Sequence, residues 1–232
     1  MLQLSPAEWS AVVLSLQVAG VAVAAILPLA IALSYCLSRW AFPGKTLVIV
    51  ITHLPLVLPP VVTGYLLLLG FGARGPMGQW LADWMGLTFA FQWTGAALAA
   101  GVMAFPLVVR PIKLAFDAAD PLLEEAARAL GTSPLKTFFL VSLPLALPGI
   151  LAGGILGFAK AMGEFGATIT FVSNIPGETR TLSLALYTEL QKVDGEAAVL
   201  RLALISVGIS VVALGSSEVL ARLVARRVRG CA

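Results

Sequence analysis

The sequence predicts an all-α, polytopic membrane bundle of about five transmembrane helices, and three observations carry that reading. Of 232 residues, 59% are hydrophobic and 12% charged, with a mean hydropathy of +0.96. Soluble domains carry about 25% charged residues, so this chain lacks the charge to cover a globular surface. Five segments have the roughly 20 apolar residues that a helix needs to cross a bilayer: Ala11–Leu37, Leu47–Phe71, Phe89–Val109, Leu143–Val172 and Leu202–Leu220. Finally, Lys and Arg crowd into alternate connections between those segments.

The first span is preceded by MLQLSPAEWS, which has no Lys or Arg and carries Glu8. A signal peptide would need a basic lead-in and a shorter apolar run, so the segment is expected to remain as a span. Its end and the next connection hold Arg39 and Lys45; the third connection holds Arg110, Lys113, Arg128 and Lys136, and the tail Arg222, Arg226, Arg227 and Arg229. The opposite side has Arg74, Arg180, Lys192 and Arg201. Cytoplasmic connections are the basic ones, which predicts an outer N-terminus and a cytoplasmic C-terminus. Trp9, Trp80, Trp84 and Trp93 then mark the outer interface and Trp40 the inner one.

The second and fourth spans open alike. LPLVLPPVVTG (54–64) and LPLALPGILAG (143–153) share Leu, Pro, Leu, Leu, Pro and Gly at equal offsets. Proline inside a span frees carbonyls, tolerated where they face protein or a watery cavity. Pro55, Pro59, Pro60 and Pro148 are therefore expected to break two spans that line one path. The fourth span also holds Lys160 and Glu164, four apart and so one helical turn from each other. Intramembrane charges are costly and often functional. The pair is either pathway-lining or a structural tie, and the sequence leaves both open.

Between the third and fourth spans lies the polar island EEAARALGTSPLKTFFLVSLP (124–144). Asp120 can cap a helix with Pro121 at its first position, and Gly131 can end it in the left-handed region. Ser133-Pro134 repeats the start signal for a second helix running into the fourth span. Glu124 and Glu125 lie in this open segment, where both should simply ionise.

Several chemistries are excluded. FPGKT (42–46) ends like a phosphate-binding loop, but Arg39 stands where that loop needs glycine, and no strand precedes it. His53 is the only histidine, so it reads as a packed or interfacial residue and no histidine-paired zinc site or triad is available. Cys36 and Cys231 form neither a CxxC motif nor a disulfide framework. Basic patches interleaved with aromatics are missing, which argues against nucleic acid. No cofactor or metal is expected on this chain.

Glu125-Ala126-Ala127, three residues, Gly131, nine residues, then Val141-Ser142-Leu143-Pro144 resembles the EAA motif of ABC importer permeases, with Val141 in place of the usual Ile. HLPLVLPPVVTGYLLL (53–68) and GEFGATITFVSNIPGETRT (163–181) look like the subset that carries molybdate, although GEFGAT is shared with sulfate relatives. The resemblance implies a type I importer permease fold: a periplasmic segment 1–10, a transmembrane domain 11–222 and a basic cytoplasmic tail 223–232. It implies that Glu125, Ala126, Ala127, Gly131, Leu143 and Pro144 couple to a separate ATPase, which binds the ATP. It further implies a homodimer in the inner membrane, with two ATPase subunits and a periplasmic binding protein. A sulfate or tungstate importer is the alternative within this class. A non-transporting membrane sensor or assembly protein would keep the topology without needing the motif, and an intramembrane enzyme lacks a constellation to support it.

Overall fold

The structure is a computed structural model that describes residues 4–229, with side chains described for those residues except 214 and 217–229. Cys231 and the last residues of the basic tail lie outside the described residues. Every regular element described is helical. In chain order these are α1 (Pro6–Arg39), α2 (Lys45–Val57), α3 (Pro60–Phe71), α4 (Pro76–Met85), α5 (Trp93–Ala118), α6 (Pro121–Ala129) and α7 (Pro134–Thr137). A π-helical turn, Phe138–Ser142, follows, then α8 (Leu143–Met162), α9 (Gly166–Val172), α10 (Leu182–Leu190) and α11 (Glu196–Arg229). Among the described residues four rods are long and apolar enough to cross a membrane: α1, α5, the run Pro134–Met162, and the part of α11 up to Ala213. A fifth crossing is counted if α2 and α3, bent by 115°, form one.

The bundle is built around α5, which packs against α1 and α8. Lipid tails are as apolar as leucine, so helices in a membrane associate where small residues let backbones approach. On α5 those residues are Ala96, Ala97, Ala99, Ala100, Gly101 and Ala104, all buried. α8 answers with Gly149, Gly153 and Gly157, one every four residues. A Cβ at Gly149 would lie 2.5 Å from the Ala115 Cβ, one at Gly153 2.8 Å from the Val108 carbonyl oxygen, and one at Gly157 2.5 Å from a Val108 methyl. This glycine stripe was readable as a four-residue spacing but went unread beside the prolines. Among the described residues three buried clusters divide the bundle: one joins α1, α3, α5, α8 and α9, one joins α1, α5 and α8, and one joins α1, α10 and α11.

Helix ends follow local chemistry. Ser5 and Glu8 form a complete capping box at α1, with the Ser5 amide donating to Glu8 at 2.7 Å and the Glu8 amide to Ser5 Oγ at 3.2 Å. α1 thus starts inside the 1–10 segment. Gly44, at φ +87°, turns the chain into α2, and Lys45 donates to the Trp40 carbonyl. FPGKT is therefore a turn between two helices.

Leu47–Phe71 breaks at its proline pair as expected, and the other spans differ from expectation in three places. Leu47–Phe71 is not straight, because Leu58 and Pro59 each precede a proline and are held extended at ψ 143° and 132°. Phe89–Val109 shifts towards the C-terminus: its helix starts at Trp93, after a turn in which Phe91 has φ +61°, and runs to Ala118. Leu143–Val172 is interrupted at 163–165 rather than at its prolines; Pro144 starts α8 and Pro148 sits within it. Pro144 lacks an amide and would crowd the carbonyl four residues back, and the wider π turn before it, closed by the Leu143 amide on the Phe138 carbonyl, gives room. Leu202–Leu220 extends at both ends into α11. The connections also carry the short helices α4 and α10; Pro76 and Gly86 are start and stop signals for α4.

Candidate functional site

The polar island folds as its caps dictate. Asp120 accepts from the Leu122 amide at 2.9 Å, and Pro121 opens α6. Gly131, at φ +88°, closes it: the Thr132 amide reaches back to the Ala127 carbonyl at 3.2 Å and the Gly131 amide to that of Arg128 at 2.9 Å. This pair of bonds is the Schellman cap. A Cβ at Gly131 would meet nothing within 4 Å, so the backbone angle alone demands glycine. Thr132 Oγ1 also donates to the Ala127 carbonyl at 2.7 Å, locking the turn from the outside. Ser133 then caps α7 through the Lys136 amide.

α6 offers an unusual face. Glu125 and Ala126 are exposed and Ala127 is half-buried. Around them Leu122 is 64% exposed, and Leu130, just beyond the helix, 86%. A small, apolar patch with one free carboxylate is a surface another protein can approach closely. Val141 and Leu143 are half-buried and Pro144 exposed, at the junction of the π turn with α8. The two halves of the motif are therefore joined by a continuous helical rod that leads from the α6 turn into the bundle.

Glu124 departs from the expectation of an open, solvated pair. It is buried, and Arg39 Nε donates to its Oε1 at 2.8 Å. The physical reason is the end of α1, which delivers a guanidinium from 85 positions away in sequence. Nothing local to residues 124–144 signals that partner.

The proline-bearing stretches part company. Pro55 lines an apolar groove of about 700 Å³ between α1, α2 and α5, and a smaller one of about 210 Å³ beside α3; Pro148 lines neither. Thr52 and Thr94 face the larger groove, but both hydroxyls are spent on backbone carbonyls. The groove therefore suits an apolar surface, not an anion. In the smaller one the Thr63 hydroxyl is buried without a partner.

Lys160 and Glu164 do pair, Nζ to Oε2 at 2.6 Å, but not across a helical turn. α8 ends at Met162, and Glu164 stands in the break, where its Oε1 accepts from the Ala167 amide at 3.0 Å. One carboxylate thus ties the last turn of α8 to the first turn of α9. The Glu164 side chain is 2% exposed and that of Lys160 29%. The arrangement is that of a tie between two helices, with the lysine at its accessible edge.

Sequence reading missed one further polar group. Glu8, Glu189, Arg180, Lys192 and Arg201 line a pocket of about 270 Å³. Arg201 donates to Glu8 at 2.9 Å, Lys192 to Glu189 at 2.6 Å, and Arg180 to Asn174 at 2.8 Å. The contributing positions are scattered over 193 residues, so no spacing marks them. Among the described residues no cluster of metal-ligating side chains occurs.

The profile of the family described as "Binding-protein-dependent transport system inner membrane component" matches residues 26–230. The chain is 54% identical over 220 residues to the molybdenum transport system permease protein ModB of Escherichia coli K12, covering 95% of this chain and 96% of that one. It is 50% identical to ModB of Haemophilus influenzae, covering 95% and 96%. The sulfate transport system permease protein CysT of Escherichia coli K12 is 36% identical, over 72% of this chain and 60% of its own length. Among solved structures, a bacterial ABC transporter importing the acidic polysaccharide alginate matches with a TM-score of 0.70 at 18% identity, covering 97% of this chain and 81% of that one. The MetNI methionine ABC transporter matches at 0.68 and 16%, covering 94% of each chain. These two share the fold, that of a type I ABC importer permease. The motif spacing, the multi-pass helical bundle and the matched span agree: this chain belongs to the binding-protein-dependent transport system inner membrane components.

Proposed function

We propose that the chain is the membrane permease subunit of an ATP-driven importer of molybdate. The observation that carries the transport reading is the exposed face of α6, with Glu125 and Ala126 open and Gly131 fixing the turn behind them. A separate ATPase docks there, and the rod through Val141, Leu143 and Pro144 conveys its movement into the bundle. ATP is bound by that partner, and this chain contributes no nucleotide site or catalytic group of its own. Two ATPase subunits and a periplasmic binding protein complete the importer, and the alginate transporter is likewise seen with a periplasmic protein. The excess of Lys and Arg on alternate connections orients the chain with its N-terminus periplasmic and its C-terminus cytoplasmic.

The chain works as a homodimer whose pathway runs between two copies. Its broad apolar groove beside Pro55 suits protein or lipid better than an oxyanion. Pro59 and Pro60 shape the bend that presents α3, and Lys160 supplies positive potential near the break in the fourth span, moderated by Glu164. Conduction requires attraction weak enough for the ion to leave. Molybdate is favoured over sulfate because the ModB relatives are more similar over nearly full length than CysT. Deleting the gene in a strain without other importers should abolish high-affinity molybdate uptake and lower molybdoenzyme activity, with rescue by excess molybdate. Unchanged molybdate uptake alongside lost sulfate uptake would reassign the substrate, and unchanged uptake of both would overturn the transport reading.

A further inference from the structure

α6 is held to its own chain in an uncommon way. A short amphipathic helix ordinarily docks through an apolar stripe, yet the one buried side chain of α6 is Glu124. Its leucines face outward. Two side chains of α1 converge on that carboxylate. From α1, Arg39 Nε donates to Oε1 at 2.8 Å, and the same guanidinium reaches the Ala119 carbonyl at the end of α5 at 3.2 Å. Also from α1, the Tyr35 hydroxyl donates to Oε2 at 3.4 Å. The Tyr35 ring meets Phe116 of α5 edge-on at 5.4 Å and Phe138 of the π turn at 4.9 Å. Arg128, half-exposed at 3.9 Å, is a peripheral partner. The Arg39 and Glu124 side chains are 12% and 6% exposed, so the pair is shielded from competing water.

The far end of α1 is also anchored by polar bonds. Ser15 Oγ accepts from the Leu182 amide of α10 at 2.6 Å, and Glu8 binds Arg201 of α11 at 2.9 Å. In between, Ser34 Oγ donates to the Val109 carbonyl of α5 at 3.1 Å. α1 is therefore a strut fixed to α6 at one end and to α10 and α11 at the other.

We propose that Arg39 and Tyr35 are positioning residues that clamp α6 to α1 through Glu124, so that a shift of α6 moves α1 and the elements tied to its far end. This rests on the coupling role proposed above for Glu125–Gly131. A directional polar clamp preserves the orientation of α6 in a way that an apolar contact, which slides, does not.

The test uses the complete importer reconstituted in vesicles, with the molybdate-loaded binding protein, and reads molybdate transported per ATP hydrolysed. In Arg39→Met/Glu124→Leu the buried pair becomes apolar, a change that buried pairs often tolerate in stability. Co-purified ATPase should stay near the wild-type amount, while transport per ATP falls by about tenfold, a common size of coupling between sites. Arg39→Met and Glu124→Leu should each give a similar loss that does not multiply in the double variant, because they break one interaction. Tyr35→Phe, which keeps the ring packing, should lose about twofold, as befits a single long hydrogen bond. Wild-type transport per ATP in the assembled double variant, or single losses that multiply, overturns the proposal. If the double variant fails to assemble, Tyr35→Phe decides, and an unchanged ratio overturns it. Ala126→Trp, on the exposed face, separates this idea from its foundation. That variant should release the ATPase; retention defeats the coupling reading and the clamp together, whereas release with intact coupling in the Arg39 and Glu124 variants defeats the clamp alone.

Discussion

Two stretches that share their leucines, prolines and closing glycine fold differently, and the residue after the second shared proline accounts for it. LPLVLPPVVTG bends the chain by 115°, whereas LPLALPGILAG begins a helix that stays intact for 20 residues. After the second shared proline the first has Pro60 and the second Gly149. A single proline within a helix costs one hydrogen bond and some crowding; two in succession force both preceding residues out of helical geometry. Position 149 could not carry a proline, because α5 lies against it. The closing glycines, by contrast, do share a role. A Cβ at Gly64 would lie 2.5 Å from the Ala167 carbonyl oxygen, and one at Gly153 would press on that of Val108. The shared pattern thus records close helix approach at its end, while the break depends on the proline pair.

The strongest way to break this comparison is to make the second stretch like the first. Gly149→Pro should cost about 3 kcal/mol or more from the interior proline, with the clash on Ala115 added. Little folded protein should be recovered by size-exclusion fluorescence of the detergent extract; normal recovery would mean α8 is not seated on α5 as described.

The next test concerns where the fourth span does break. Its interruption at 163–165 is bridged by Glu164, so Glu164→Ala should destabilise by about 1–3 kcal/mol, leaving the Ala167 amide and Lys160 unpartnered. Lys160→Met leaves the Glu164 carboxylate buried without its cation and should lower thermal stability by a comparable amount. An unchanged melting temperature in either variant would contradict the tie.

The mildest change runs the other way. Pro60→Ala frees Pro59 to enter the helical region and should relax the bend at a stability change of under about 1 kcal/mol, since Pro60 opens α3 and no amide bond is lost there. Spin labels at the exposed positions Val50 and Leu66 should move apart. An unchanged distance would place the cause of the bend in tertiary packing instead.

Much of this was legible because membrane helices declare themselves by length and apolarity, and because caps are local. Asp120, Pro121, Gly131 and Ser133 each acted as their chemistry dictates. Long-range pairing was not legible. Glu124 looks solvated until Arg39 arrives from another helix, and Glu8 looks like a mere absence of basic lead-in until Ser5 and Arg201 are seen around it. Spacing pairs Lys160 with Glu164, but α8 ends at Met162, so the pair closes across a break instead of along one helical turn. Short helices such as α4 and α10 were lost in connections whose apolar content fell below the scale of a span.

In the proposed function α6, aimed by Gly131, couples ATP hydrolysis on a partner to anion import. Gly131→Val tests it most directly, because the site has open space and the substitution acts only through a left-handed backbone, at about 1–2 kcal/mol. The measurement is ATP-driven molybdate uptake into vesicles holding the complete importer, normalised to folded permease. Coupling through α6 requires that uptake and binding-protein-stimulated ATPase activity both collapse while the permease inserts and remains folded. Wild-type uptake and stimulation in that variant would contradict it.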